Sequence, residues 1–193
     1  MLHAFLISFG LIFVAELGDK SQLMAMTFAA RYRAITILAA ITAATALVHL
    51  ASVMLGAVLG VALPTRAISV VAGLAFLAFA AWTLRGDELD DDEAAKAGRA
   101  TRSVFWSVAG AFFLAELGDK TMLATITLAA DNDGLAGHTG TWAGSTLGMV
   151  AADALAIVVG QQLGARLPER AVKIGASATF VLFGAWLIWD GLR

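Results

Sequence analysis

The stretch 16–21, Glu-Leu-Gly-Asp-Lys-Ser, decides how this chain is interpreted, because it returns at 116–121 as Glu-Leu-Gly-Asp-Lys-Thr. Each copy lies inside a long apolar segment. A charged side chain at the centre of a membrane helix costs roughly 2.5 to 3.5 kcal/mol. The two copies together bring four carboxyl and two amino groups into such segments. Because packing alone gives no reason to bury this charge twice, the two hexapeptides are the first candidates for a functional site.

The composition indicates a polytopic membrane protein. Of the 193 residues, 60% are hydrophobic and only 15% are charged, and the mean hydropathy is +0.82. A soluble domain of this length could not cover so much apolar surface, so a lipid bilayer is the expected surrounding. The absence of cysteine excludes disulfides and thiolate metal sites. No basic patch suggests a nucleic acid as partner.

Six apolar segments, each of about 20 residues, predict six transmembrane helices. They lie near residues 5–28, 36–61, 67–84, 104–129, 141–164 and 171–190. The segments between them contain Pro64, Gly134 and Pro168, which are typical of helix ends. The predicted fold class is therefore all-α.

The repeat extends well beyond the hexapeptide. Residues 13–25 match 113–125, and later positions match at a spacing of 104 residues, as Gly56 does with Gly160. Each half has three predicted spans, an odd number, so the two halves must have opposite orientations. This inverted repeat is common in secondary transporters, whose sites lie near the midplane. The predicted units are a first three-helix repeat over 1–84, a charged cytosolic linker over 85–103, and a second three-helix repeat over 104–193.

The distribution of Lys and Arg predicts the orientation. With the N-terminus outside, the outer side holds only Arg66 and Arg193. The inner loops then hold Arg31, Arg33, Arg85, Lys96, Arg99, Arg102, Arg166, Arg170 and Lys173. This positive-inside bias predicts a multi-pass protein of an inner (plasma) membrane with both termini outside.

The motif acids Glu16, Asp19, Glu116 and Asp119 are the candidate metal ligands. In a continuous helix, Glu16 and Asp19 would share a face and Glu16 could pair with Lys20. The glycine between them either admits a neighbouring helix or loosens the helix and frees its carbonyl groups. The inverted repeat would bring the two acidic faces together into a cage rich in oxygen atoms, which Ca2+ and Mn2+ prefer.

Further candidates lie beside these acids or in the middle of the following spans. His49 matches Asp153 at the spacing of 104 residues, and each lies near the centre of its span. A packing role for His49 is as plausible as a role in proton transfer. The candidates for metal binding or proton relay are Ser21, Gln22, Thr121, Asp153 and His49. Lys20 and Lys120 are expected to balance charge or to exchange partners during transport.

Clustered carboxylates cannot all stay ionised without a cation, so some are expected to hold protons that metal binding expels. Returning two protons for each divalent cation cancels the electrical work, which is roughly 2.3 kcal/mol per charge per 100 mV. The predicted function is therefore exchange of a divalent cation for at least two protons. The transported ion is the substrate, and neither a cofactor nor an obligate protein partner is expected.

The doubled motif Glu-x-Gly-Asp-Lys/Arg-Ser/Thr in a six-span chain resembles the ubiquitous family of Golgi, chloroplast and bacterial cation/proton exchangers. The resemblance covers essentially the whole chain. It implies transport of manganese or calcium, with Glu16, Asp19, Glu116 and Asp119 as the ion-binding acids. The family is related to the lysine-exporter superfamily. The signature includes Lys20, Ser21, Lys120 and Thr121, but not His49 or Asp153.

Other functions remain to be weighed against exchange of Mn2+ or Ca2+, between which the sequence does not choose. A lysine-exporter-like carrier of a small organic cation would leave most of the acids without a role. An intramembrane aspartyl protease would need a Gly-x-Gly-Asp signature, but Glu16 and Glu116 stand at the first position of that signature. A structural Glu–Lys network is opposed by its charge cost. The acidic run 87–93 is expected to be a solvated linker, with metal collection as the alternative.

Overall fold

The computed structural model of the chain describes residues 1–62, 64–85, 104–163 and 169–193. Within these ranges the chain forms α-helices and no strand, which confirms the predicted all-α class. The helices are α1 (Leu2–Glu16), α2 (Lys20–Ala29), α3 (Ala34–Ala62), α4 (Thr65–Arg85), α5 (Val104–Glu116), α6 (Lys120–Asp131), α7 (Gly134–Leu163) and α8 (Glu169–Leu192). Most of the predicted charged linker, including the acidic run, lies outside the described residues.

The long helices α3, α4, α7 and α8 are each long and apolar enough to cross a membrane. The pair α1 and α2 meets the same criterion when taken together, although the two helices meet at an angle of 75°. Helix α5 is a shorter apolar helix. The described residues therefore contain four to five candidate spans. The six-span inverted repeat is compatible with this arrangement, in which α5 and α6 occupy the fourth predicted span.

Each motif interrupts its helix. Helices α1 and α5 end at Glu16 and Glu116, and α2 and α6 begin at Lys20 and Lys120. Between them, Gly18 has a φ of 75° and Gly118 a φ of 81°. A left-handed residue of this kind ends a helix, and glycine adopts it without steric cost. Helical spacing therefore does not relate Glu16 to Asp19 or Lys20, and of the two roles considered for the glycine, loosening of the helix is the one observed.

Helices α1 and α7 run parallel in very close contact. Helix α7 carries a glycine every fourth residue on the face that meets α1, and a Cβ atom at Gly148 would lie only 2.6 Å from the carbonyl oxygen of Phe9. One turn and two turns earlier, Gly144 and Gly140 meet the backbone at Phe5 and Met1. Glycine at these positions lets the helix backbones approach, as in other membrane helix pairs. We call this contact the glycine seam.

The described helices have a common end, which we call the N-terminal face. There α1, α4 and α7 begin, and α3, α6 and α8 end. Ser69, near the start of α4, donates a hydrogen bond of 3.2 Å to Asp131 at the end of α6. Arg66 similarly reaches the carbonyl oxygen of Arg193 after the end of α8, at 3.4 Å. The other end of the bundle, where α1–α2 gives way to α3, is called the opposite face.

The two sequence halves interlock rather than packing as separate bodies. Helix α3 packs mainly on α5 and α6 of the second half, and α7 packs on α1 and α2 of the first half. Helices α4 and α8 pack extensively on each other. Large apolar side chains such as Leu55, Val58 and Leu182 are exposed on the outer surface, as expected for contact with lipid. This arrangement places the two helix breaks inside the molecule.

Candidate cation site

Both helix breaks bury their acids. The exposed fractions of Glu16 and Glu116 are 0% and 1%, and those of Asp19 and Asp119 are 2% and 5%. Each glutamate is the last residue of one half-helix, and each aspartate lies in extended conformation just before the next. The amino ends of α2 and α6 therefore start beside the acids, where their helix dipoles favour negative charge.

An ion pair joins the two motifs. The ammonium group of Lys120 binds a carboxylate oxygen of Asp19, and both side chains are almost completely buried. The partner of Lys120 therefore comes from the other half of the chain. The sequence suggested a pairing only within the motif, between Glu16 and Lys20. Spacing along the chain does not reveal which residues of the two repeats lie close together in the fold. The ammonium group of Lys120 also lies within electrostatic range of Glu16 and Asp119.

Asp153 belongs to the same cluster. It is fully buried in α7 and interacts electrostatically with Asp19, while Glu16 and Glu116 each interact with Asp153 in turn. Glu16 and Glu116 also interact with each other. Five acids from α1, α5, α7 and the two breaks thus share one buried region. The five carboxyl groups outnumber the two motif lysines, Lys20 and Lys120, so the cluster requires protons or a further cation.

Two polar side chains hold the breaks in place. The hydroxyl group of Thr121 donates a hydrogen bond of 2.8 Å to a carboxylate oxygen of Glu116. The side-chain oxygen of Gln22 accepts a hydrogen bond of 2.8 Å from the backbone N–H of Gly18. Its amide nitrogen donates to the carbonyl oxygen of Ala152, also at 2.8 Å. Gln22 therefore ties the first break to α7 beside Asp153, an anchoring role that sequence reasoning did not assign to it.

Several buried oxygen atoms of the cluster make no hydrogen bond within the described part of the chain. They include both carboxylate oxygens of Glu16, both of Asp153, one of Glu116 and the hydroxyl oxygen of Ser21. Buried polar atoms are nearly always satisfied by protein, water or an ion. These atoms are therefore available to a ligand that brings its own positive charge.

The predicted residues do not all converge. Among the described residues, no three His, Asp or Glu side chains are close enough together, as they stand, to hold one metal ion. His49 is fully buried in α3, and neither of its ring nitrogens makes a hydrogen bond within the described residues. Its repeat partner Asp153 belongs to the acidic cluster. A metal ion bound by three or more of the acids would need side chains to move.

Comparison with known proteins identifies the family of the chain. The sequence profile of the family described as divalent cation/proton antiporter GDT1 matches residues 4–91 and 104–193. A Vibrio cholerae protein proposed to be a manganese exporter is 36% identical over 180 residues, covering 91% of this chain and 86% of that protein.

Two further relatives span nearly the whole chain. A GDT1-like protein of Synechocystis is 31% identical over 207 residues, covering 98% of both chains. The Saccharomyces cerevisiae protein named divalent cation/proton antiporter GDT1 is 24% identical over 240 residues, covering 98% of this chain and 84% of its own. No solved structure matches the chain.

Proposed function

The chain belongs to the GDT1 family of divalent cation/proton antiporters, and from this premise we propose that it exports Mn2+, or alternatively Ca2+, from a bacterial cytosol in exchange for protons. The observation that carries the proposal is the buried cluster of Glu16, Asp19, Glu116, Asp119 and Asp153 at two helix breaks. Carboxylate oxygens are the ligands that both ions prefer. Because the family consists of transporters, the alternative of an intramembrane enzyme is set aside.

Protons and the cation compete for the same oxygen atoms. Without a cation, desolvation and mutual repulsion prevent five buried carboxyl groups from all being ionised, so several hold protons. A divalent cation binds the ionised form and releases those protons. Exchange of two protons for each cation moves no net charge across the membrane. It therefore avoids an electrical term of roughly 2.3 kcal/mol per charge per 100 mV.

Lys120 acts as an internal cation in the described conformation, where its ammonium group neutralises Asp19. We propose that Lys120 leaves Asp19 when the metal ion enters, which lets the acids converge on the ion. Lys20, at the equivalent position of the first motif, balances charge in the same way. Ser21, Thr121 and Gln22 supply neutral oxygen atoms, while Asp153 is a fifth acid for metal or proton binding. His49 is at most a proton relay on the α3 side.

Ion-driven proton movement in proteoliposomes tests the proposal. Purified protein is reconstituted with a pH-sensitive dye inside the vesicles, and Mn2+, Ca2+ or Mg2+ is added outside. In the wild type, entry of Mn2+ or Ca2+ should drive protons out of the lumen, so that the enclosed dye reports a rise in pH. Glu116→Gln should reduce this rate by about 100-fold or more, since the site loses an ionisable ligand. Asp131→Asn is the matched control, because Asp131 lies at the N-terminal face away from the cluster.

Proton movement in the wild type and in Asp131→Asn, lost only in Glu116→Gln, would establish the exchanger and rank its ions. Well-folded wild-type protein that moves no protons with any divalent cation would contradict the proposal. In that case a small organic amine, tested in the same vesicles, would be the next substrate to examine.

A further inference from the structure

Buried hydroxyl groups line one half of the interior beside the glycine seam. Ser8 of α1 and Thr141 and Ser145 of α7 are each completely inaccessible to solvent. The parallel contact of α1 with α7 places them within a few turns of one another, on the side of the acidic cluster nearer to the N-terminal face. Between these hydroxyl groups and the acids lie the buried apolar side chains of Ile12, one turn from both Ser8 and Glu16, and Met149, one turn from both Ser145 and Asp153.

The three equivalent positions on the other side of the cluster are apolar, although Thr45, which corresponds to Met149, is a buried hydroxyl residue there. At the repeat spacings, Ser8 corresponds to Val108, Thr141 to Ile37 and Ser145 to Ile41. These three apolar side chains are also fully buried, and they belong to a single hydrophobic cluster with Phe28 and Phe112. Equivalent positions are thus buried in both halves but differ in chemistry. Packing alone would accept apolar side chains at both, so the hydroxyl groups need another explanation.

Two of these hydroxyl groups lack a partner. Within the described residues, the side-chain oxygens of Ser8 and Thr141 form no hydrogen bond, nor does that of Thr146 on the next turn of α7. Ser145 donates a bond of 3.2 Å to the carbonyl oxygen of Trp142, which leaves its lone pairs available. A buried hydroxyl group without a partner destabilises the fold unless a water molecule or an ion satisfies it.

We propose that Ser8, Thr141 and Ser145 line the passage by which the transported cation moves between the acidic cluster and the N-terminal face. This inference rests on the proposed exchange function. Hydroxyl oxygens are hard, neutral ligands that replace part of the hydration shell of a divalent cation without trapping it as carboxylates would. In the described conformation α1 and α7 are in contact along the glycine seam, so the passage opens only when these two helices move apart. Toward the opposite face, the cluster around Ile37, Ile41 and Val108 closes the interior.

Cysteine labelling tests the passage directly, because the chain contains no cysteine of its own. Single variants Ser8→Cys and Thr141→Cys are compared with Val108→Cys and Ile37→Cys at the equivalent positions, in full-length protein in proteoliposomes. A membrane-impermeant methanethiosulfonate reagent is added, with Asp133→Cys at the exposed N-terminal face as the positive control. A thiol in a hydrated passage ionises more readily than one in apolar packing, and one pKa unit gives about tenfold in thiolate.

We expect Ser8→Cys and Thr141→Cys to react about tenfold faster than Val108→Cys and Ile37→Cys, and Mn2+ to slow the faster reactions. Equal rates at the equivalent positions, or faster reaction of Val108→Cys and Ile37→Cys, would overturn the inference. So would full labelling of Asp133→Cys without labelling of Ser8→Cys and Thr141→Cys. Asymmetric labelling that Mn2+ leaves unchanged would overturn the assignment of the passage to the cation.

The proposed function is tested independently by proton movement in wild-type vesicles. Exchange by the wild type together with symmetric labelling would reject the passage and keep the exchanger. Absence of exchange would count against the exchanger whatever the labelling pattern, so the two failures are distinguishable.

Discussion

At the scale of single residues, the buried Lys120–Asp19 pair links the two halves of the chain. Removing one partner of a buried ion pair leaves an uncompensated charge, which is more damaging than removing both. The ammonium group of Lys120 is also surrounded by Glu16 and Asp119, so its loss increases repulsion within the cluster. The pair therefore matters for the stability of the described conformation as well as for transport.

A double-mutant cycle tests the stabilising role of this pair. Lys120→Met should lower the free energy of unfolding by about 3 to 5 kcal/mol, because Asp19 then lies buried beside other acids without its counter-ion. Adding Asp19→Asn should restore most of that loss. Unfolding in detergent micelles, followed by intrinsic tryptophan fluorescence, measures both values. Simple additivity of the two single effects would show that the two side chains do not stabilise each other.

At the scale of helices, the two features that shape the site are the helix breaks and the glycine seam. The breaks let two half-helices begin directly after buried acidic residues, where backbone groups freed from the helix are protected by protein. The seam brings α1 against α7, so that Glu16 and Asp153 lie in one cluster. Both features depend on glycine, but for different reasons: the breaks use its backbone freedom and the seam its lack of a side chain.

Alanine substitution at two glycines separates close packing from helix propensity. Gly148→Ala should destabilise the protein by about 1 to 3 kcal/mol, because the added methyl group meets the carbonyl oxygen of Phe9. Gly10→Ala in α1 is the matched control, since a Cβ atom there meets nothing within 4 Å. The control should be neutral or more stable by up to about 1 kcal/mol. Equal destabilisation by the two substitutions would argue against a tight α1–α7 contact.

At the scale of the whole molecule, both ends of the described chain lie on one face. Among the described residues outside the motifs, Arg31 and Arg33 lie toward the opposite face, whereas Arg66 and Arg193 lie at the N-terminal face. The positive-inside rule therefore predicts that the N-terminal face is outside the cell. With this orientation, the proposed hydroxyl-lined passage leads outward, which is the direction of export.

Labelling of intact spheroplasts tests this orientation. Asp133→Cys at the N-terminal face and Ala30→Cys at the opposite face are both exposed positions between helices. An impermeant maleimide should label Asp133→Cys in intact cells, and Ala30→Cys only after permeabilisation of the membrane. The reverse pattern would place the N-terminal face inside and contradict the predicted topology.

The sequence by itself determined the membrane class, the all-α fold and the family, and it singled out the motif acids as a site that remains to be tested. Each of these follows from composition or from residue identity: apolar length requires helices in lipid, and charge in an apolar segment is too costly to be incidental. Burial of Glu16, Asp19, Glu116 and Asp119 agrees with that interpretation. The repeat also made Asp153 a candidate site residue, because it aligns Asp153 with His49 and both lie in the middle of a predicted span.

Only the tertiary structure decided which groups meet. Helical spacing would make Asp19 and Lys20 the neighbours of Glu16, but a glycine at positive φ ends the helix between them. The local sequence does not show whether a glycine breaks a helix or only bends it. The partner of Asp19 proved to be Lys120, about a hundred positions away in sequence, since contacts between repeats depend on how helices interlock. The same packing brings Asp153, from the third of the four long helices, to the motif acids. Sequence fixes the charge that must be buried, whereas three-dimensional packing fixes its partners.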